Sequence, residues 1–106
     1  MRLEAEEWVD RGDYKVSKLC VLDEKTFIQL VSIDGRVGEH YHKIQTEVFV
    51  IVKGSGVIGI NNRIFEVECG DVLLCKPRNI HFAEGKMEIL VFKYDYAEND
   101  TVWLKV

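Results

Sequence analysis

Helical periodicity is almost absent from this chain. Leu3–Val9 could supply one short turn, and no other stretch repeats apolar residues at helical spacing. Strand-length runs bounded by turn residues take its place. The pattern predicts strands over Val16–Leu22 and Phe27–Ile33, the second ended by Asp34-Gly35. It predicts further strands over Glu47–Lys53, stopped by Gly54-Ser55-Gly56, and over Val57–Ile60. Arg63–Glu68 follows across a tight Asn61-Asn62 turn, where asparagine tolerates positive φ. Val72–Cys75 comes after a Cys69-Gly70-Asp71 turn, and His81–Ala83 and Glu88–Asp95 close the series. Trp103–Val106 is expected to add an edge strand. Short strands at such even spacing predict an all-β sandwich or barrel.

At 106 residues the chain can bury one core and not two, so a single domain over 1–106 is expected. Pro77 is the only proline, and no linker, repeat or low-complexity tract divides the sequence. The net charge is −4 and the 14 basic residues form no run, which argues against a nucleic-acid partner. The longest apolar runs, such as Val48–Val52, are too short to span a membrane. The first residues, Met1 to Glu7, are acidic where a secretory signal is basic and then apolar, so a cytoplasmic protein is expected. Cys20, Cys69 and Cys75 are odd in number and form no CxxC pair, which predicts reduced thiols rather than a disulfide framework.

The chain has three histidines, and two of them are separated by one residue. On a strand His40 and His42 share a face, with Tyr41 opposite. A short turn through 43–46 lets Glu47 start the next strand beside them. A compact barrel can bring in His81. Three imidazoles and one carboxylate suit a divalent transition ion (manganese, iron, nickel, copper or zinc) and leave two positions of an octahedron open. Taken alone, an H-x-H pair is weak evidence, because histidines are also exposed strand residues or hydrogen-bonded core residues.

The wider string is more specific. Gly35-x4-His40-x-His42-x4-Glu47-x6-Gly54 is followed by Gly70-Asp71-Val72-Leu73-Leu74-Cys75-Lys76-Pro77-Arg78-Asn79-Ile80-His81. This resembles the two motifs of the cupin superfamily, the first over 35–54 and the second over 70–85. The resemblance implies a double-stranded β-helix, a jelly-roll-like barrel, with His40, His42, Glu47 and His81 at the four metal-ligand positions. The chain departs from the pattern elsewhere. Gly35 lies one residue too close to His40, Lys76 stands at the family's proline, Arg78 at its glycine and Gly85 at its asparagine. A glycine at position 78 would allow positive φ, so the loop is expected to be built differently, with Asn79 taking that conformation.

The resemblance also implies function. A small metal-binding cupin can be a metal-dependent enzyme acting on a small organic acid, sugar or keto compound, as an oxygenase, oxidase, decarboxylase or isomerase. The ion would act as a Lewis acid. The alternatives are a non-catalytic module that binds or senses a small molecule and a purely structural metal site. Candidate substrate contacts are Phe49, which shares the parity of Glu47, Arg78 near His81, and Phe92 and Tyr94 on one face of the late strand. Each has a plainer alternative: core packing for the phenylalanines and a solvated loop charge for Arg78. A Cys75 nucleophile with a His81 base is disfavoured, because Cys75 lies in an apolar run. Lys53-Gly54-Ser55-Gly56 reads as a hairpin rather than a phosphate loop. Small cupins form dimers, and a barrel this small leaves strand edges to cover, so a homodimer is expected.

Overall fold

The structure is a computed structural model and describes residues 1–104. No helix occurs among the described residues. These residues form eight strands, β1 (Val9–Asp10), β2 (Tyr14–Asp23), β3 (Thr26–His42), β4 (Thr46–Ile60), β5 (Arg63–Glu68), β6 (Val72–Cys75), β7 (His81–Tyr94) and β8 (Thr101–Trp103). All pairings are antiparallel, in the order β1-β2-β3-β7-β4-β5, with β6 added to β4 and β8 to β3. This is the all-β, jelly-roll-like barrel that the sequence predicts. Leu3–Val9 does not form a helical turn. The last predicted strand begins two residues earlier, at Thr101, and its end at 105–106 lies outside the described residues.

Three predicted breaks are not breaks. Asp34-Gly35, Gly54-Ser55-Gly56 and the gap at 84–87 all lie inside long strands of 17, 15 and 14 residues. The reason is a row of glycines in register across the sheet, Gly35 against Gly85 and Gly85 against Gly56. Gly35 and Gly85 have φ of 131° and 137°, a region side chains rarely adopt. A Cβ at Gly85 would lie 2.8 Å from Gly56 Cα. Glycine here lets strands pass close together and change direction without ending.

The glycine row divides the sheet into two halves that face one another. One half carries β2, the first part of β3, the last part of β7, the first part of β4, and β6. The other carries β8, the last part of β3, the first part of β7, the last part of β4, and β5. Their inner faces bury the core, including Ile33, Ile51, Ile58, Val67, Met87 and Ile89. The Asn61-Asn62 turn forms as predicted, with Asn61 at φ 55°.

Candidate metal centre and ligand chamber

A bulge aims the histidines. Along β3 the buried, inward residues are odd-numbered, Phe27, Val31, Ile33 and Val37. Pairing then shifts, so that Val37 faces Ala83 but His40 faces His81, three residues against two. The extra residue reverses the parity, and His40 and His42 turn inward with it. Glu47 and Phe49 are inward on β4, as their parity predicts, and His81 is inward on β7. The structure therefore brings together the four residues that the motif singles out.

Each imidazole is held from behind. His40 Nδ1 lies 2.8 Å from the Gly38 carbonyl and His81 Nδ1 2.9 Å from the Asn79 carbonyl. A carbonyl only accepts, so both Nδ1 atoms carry hydrogen and donate. His42 Nδ1 lies 3.0 Å from Thr101 Oγ1. Such outer partners fix the ring plane and direct Nε2 inward, the usual setting of a metal-ligating histidine. The three histidines offer ligand atoms within 4.8 Å of one another and could hold a metal ion.

Glu47 Oε1 adds a second indication. It lies 2.8 Å from His42 Nε2 and 3.4 Å from His81 Nε2, yet these contacts are not aligned as hydrogen bonds, and Oε1 has no hydrogen-bond partner among the described residues. An orphaned buried carboxylate oxygen is costly, and a cation is one remedy. The donor set of imidazole nitrogens and a carboxylate suits a transition ion.

The electrostatics are consistent with a charged cluster. Burial raises the Glu47 carboxyl, but the rings of His42 and His81 and the Lys93 ammonium outweigh it and hold the group well below the usual carboxylate range. Burial pushes His40 down to about 4, with the neighbouring His81 adding to the effect. Burial also opposes charge on His81, but Cys75 and Glu47 outweigh it and raise the ring to about 10. Cys75 Sγ is 3.3 Å from His81 Nδ1 and fully buried. It packs behind the ring, where no substrate atom has access, which fits the sequence reading against a cysteine nucleophile.

The centre lies on the wall of a cavity of about 860 Å³ inside the barrel. Phe49 lines this cavity, with its ring 5.9 Å from that of His81. The other three candidate substrate contacts lie elsewhere. Phe92 and Tyr94 are on the outer face of β7, whose inward residues are Met87, Ile89, Val91 and Lys93. Arg78 is exposed on the loop before His81. It is Arg78, not Asn79, that takes positive φ, at 69°. The strain is compensated locally: Arg78 N–H donates to the His42 carbonyl at 2.7 Å, and Asn79 Oδ1 accepts from Lys76 N–H.

Several residues of the site escaped the sequence reading. Lys93 and Lys18 line the cavity, and Lys93 Nζ is 3.9 Å from Glu47 Oε2. Trp103 packs its ring 4.4 Å from His40. Asp100 accepts from the backbone N–H groups of Lys43, Ile44 and Gln45 at 3.0–3.1 Å, fixing the turn between His42 and Glu47. Lys93 shares the parity of Met87, Ile89 and Val91, but Leu90 and Phe92 make the opposite face apolar too, so parity did not single it out. Nothing local marks Asp100 or Thr101, because their partners are more than fifty residues away.

Comparison with known proteins agrees with this geometry. The solved structures of PAC13 from Streptomyces, described as a nucleoside dehydratase, have the same fold. One superposes at a TM-score of 0.85 with 15% identity, over 99% of this chain and 92% of that one. A PAC13 variant with uridine gives 0.86 and 17% identity, over 98% and 88%. A predicted oxalate decarboxylase from Thermotoga maritima gives 0.78 with 20% identity, over 91% and 100%. The uncharacterized protein MJ1618 of Methanocaldococcus jannaschii is 29% identical over 77 residues, which are 68% of this chain and 62% of that protein. A family model described as the AraC-like ligand binding domain matches residues 32–85, from within β3 to within β7, including all three histidines and Glu47. With half of its length so matched, the chain belongs to the AraC-like ligand-binding domain family, a cupin-type fold.

Proposed function

We propose that this chain is a metal-dependent enzyme of the cupin type, a single domain over 1–106, acting on a small molecule held inside the barrel. His40, His42, His81 and Glu47 would hold one divalent transition ion. The observation that carries the reading is the set of three buried imidazoles, each anchored at Nδ1, with ligand atoms within 4.8 Å of one another and the Nε2 atoms of His42 and His81 beside one orphaned oxygen of Glu47, on the wall of a roomy cavity. When bound, the ion supplies Lewis acidity toward a substrate oxygen. The chain itself orients the rings, lines the cavity with Phe49 and Trp103, and places Lys93 beside the reacting centre. The related folds include a nucleoside dehydratase and a predicted oxalate decarboxylase, so the barrel accommodates catalysis of more than one kind.

The test is elemental analysis of protein purified without an affinity tag or chelator, beside Glu47→Gln and His42→Ala. Near-stoichiometric metal in the wild type, lost in both variants, is the expected result. Absence of metal in the wild type after attempted reloading overturns the reading. A second reading, a non-catalytic ligand-binding module, is favoured by the family's own description as ligand-binding. It predicts tight ligand binding with no turnover by the metal-loaded protein.

The reading includes a cytoplasmic homodimer. The outer face of β3-β7-β4-β6 bears two cross-strand rows, Ile28–Phe92–Val48–Leu74 and Leu30–Leu90–Val50–Val72. Val72 and Leu74 are exposed at 63% and 50%. Four strands make a patch roughly 15–19 Å wide, apolar across both rows and therefore self-complementary about a two-fold axis. Light scattering at micromolar concentration should give twice the chain mass, and Leu74→Glu should halve it. A monomeric wild type would remove the dimer from the reading.

A further inference from the structure

Beyond the metal site, we propose that the chamber beside Glu47 binds the oxyanion of a small organic acid, seated between the ammonium groups of Lys93 and Lys18. The inference rests on the reading above for the placement of the chamber, and it narrows the ligand to an anion.

The argument begins with where these lysines stand. Phe27, Lys93, Glu47 and Cys75 are successive register partners across β3, β7, β4 and β6, all on the inner face. A lysine in such a row is uncommon, because burying an ammonium costs free energy unless it is paired. The Lys93 side chain is 15% exposed, and its anionic neighbour Glu47 stands 3.9 Å away, too far for a hydrogen bond. Lys18 brings a second cation from β2. The two ammonium groups lie 4.4 Å (Lys18) and 5.6 Å (Lys93) from the centroid of the same Phe27 ring. The ring face attracts both, but two like charges over one ring also repel each other.

The charge balance of the chamber is therefore incomplete. Glu47 is the carboxylate that the histidines converge on, so a bound cation there draws on the same charge that Lys93 needs. The wall also carries Glu7 and Arg11, whose charges offset one another and which form no ion pair with either lysine among the described residues, so Lys18 is left without a carboxylate partner and Lys93 with Glu47 alone. A neutral ligand would leave the largely buried Lys93 ammonium poorly paired and the exposed Lys18 ammonium paired with solvent alone. An oxyanion accepts from both, and Gln29, the register partner of Lys18, adds a neutral amide on the same wall. Phe27 supplies an apolar surface for the body of the acid. Arg78, the basic residue that the sequence places nearest to His81, does not line this cavity.

The experiment is calorimetric titration of the full chain, both treated with EDTA and loaded with Co(II). The probes are malonate, inorganic phosphate and the neutral analogue malonamide. The proteins are the wild type, Lys18→Met and Lys93→Met. Lys18→Met keeps the aliphatic stem at an exposed position, so it remains folded if Lys93→Met does not. Malonate is expected to bind the wild type and to weaken on the order of tenfold or more in each folded variant and with added salt. Phosphate binding with the same lysine dependence, and no malonate binding, would also support the oxyanion site and would assign it to phosphate esters. Equal binding of malonamide, or unchanged malonate affinity in Lys18→Met, overturns the proposal. Failure of Co(II) to bind the wild type would overturn the metal reading instead, and lysine-dependent malonate binding to the EDTA-treated protein would leave the oxyanion site standing.

Discussion

The inner face of this barrel has two regions that are almost equally buried and made of opposite materials. Toward the glycine row, Ile51 and Ile58 are 1% exposed and pack with Ile33, Val67 and Met87. Toward the ligand end, His42, Glu47 and His81 are 5% exposed. Burial of the first group is worth about 1.5–3 kcal/mol per side chain. Burial of the second is a cost, offset only by their anchors and by whatever binds among them. The apolar region holds the barrel's shape, and that rigidity is what allows the polar region to keep unpaired groups converging on one point.

The comparison is broken most directly by truncating one residue of each kind. Ile51→Ala is expected to destabilise the protein by about 3 kcal/mol, a fall in Tm of about 15 °C, while the folded protein keeps its metal stoichiometry. His40→Leu should leave the metal-free protein within about 1 kcal/mol of wild type, because a well-packed apolar group replaces a buried polar one. It should abolish the rise in Tm on adding metal. Thermal melts of both variants with and without Co(II) check this. A large loss of metal-free stability in His40→Leu would mean that the ring matters to the barrel through its packing against His81 and Trp103.

The two regions were unequally legible in the sequence. The four candidate ligands could be found because the two motifs that carry them, 35–54 and 70–85, resemble those of the cupin superfamily, and the strand parity of Glu47 and Phe49 carried directly into the structure. The parity of β7 could not be chosen, because both of its faces are apolar: Met87, Ile89 and Val91 point in, and Leu90 and Phe92 point out. That ambiguity placed Phe92 and Tyr94 at the site and overlooked Lys93. The reversal of parity after Val37 is a bulge, set by how many residues the partner strand presents, so the β3 sequence alone does not reveal it. The interruptions expected at Gly35 and Gly54–Gly56 failed for a related reason. A glycine that ends a strand and a glycine that lets strands pass closely look the same until the partner is known.

A smaller effect is expected at the joint between the regions, where Asp100 holds the turn that carries His42 and Glu47. Asp100→Ala leaves three amides without their acceptor and should cost about 2 kcal/mol. The pH dependence has a definite sign. Burial raises the Asp100 carboxyl, but the amides of Gln45, Ile44 and Lys43 outweigh it and hold the group below its usual value. A depressed carboxyl binds fewer protons folded than unfolded, so its stabilisation is present above the ordinary aspartate value, about 4. It is lost as pH falls through the lower folded value. Urea unfolding from pH 6 down to pH 2.5 should therefore show a shallower acid loss in Asp100→Ala than in wild type. Parallel curves would mean that solvent takes over the amides and that Asp100 does not lock the turn.

The smallest and most selective effect belongs to Thr101, whose hydroxyl stands 3.0 Å from His42 Nδ1. Thr101→Val preserves the shape and β-branching of a strand residue paired with His42, so the fold should be unaffected. It removes only the group that orients the ring from behind. Outer partners of metal-bound histidines are worth roughly 10–100-fold in affinity, and a hydroxyl on one of three rings belongs at the low end, about tenfold. Competition between the protein and a chromophoric chelator for Co(II) measures this directly, and Thr101→Ser should restore most of the loss. An unchanged affinity in Thr101→Val would mean that strand register alone orients His42. In that case the polar region would depend on the apolar one for its geometry as well as its stability, and β8 would contribute to the site only through the packing of Trp103 on His40.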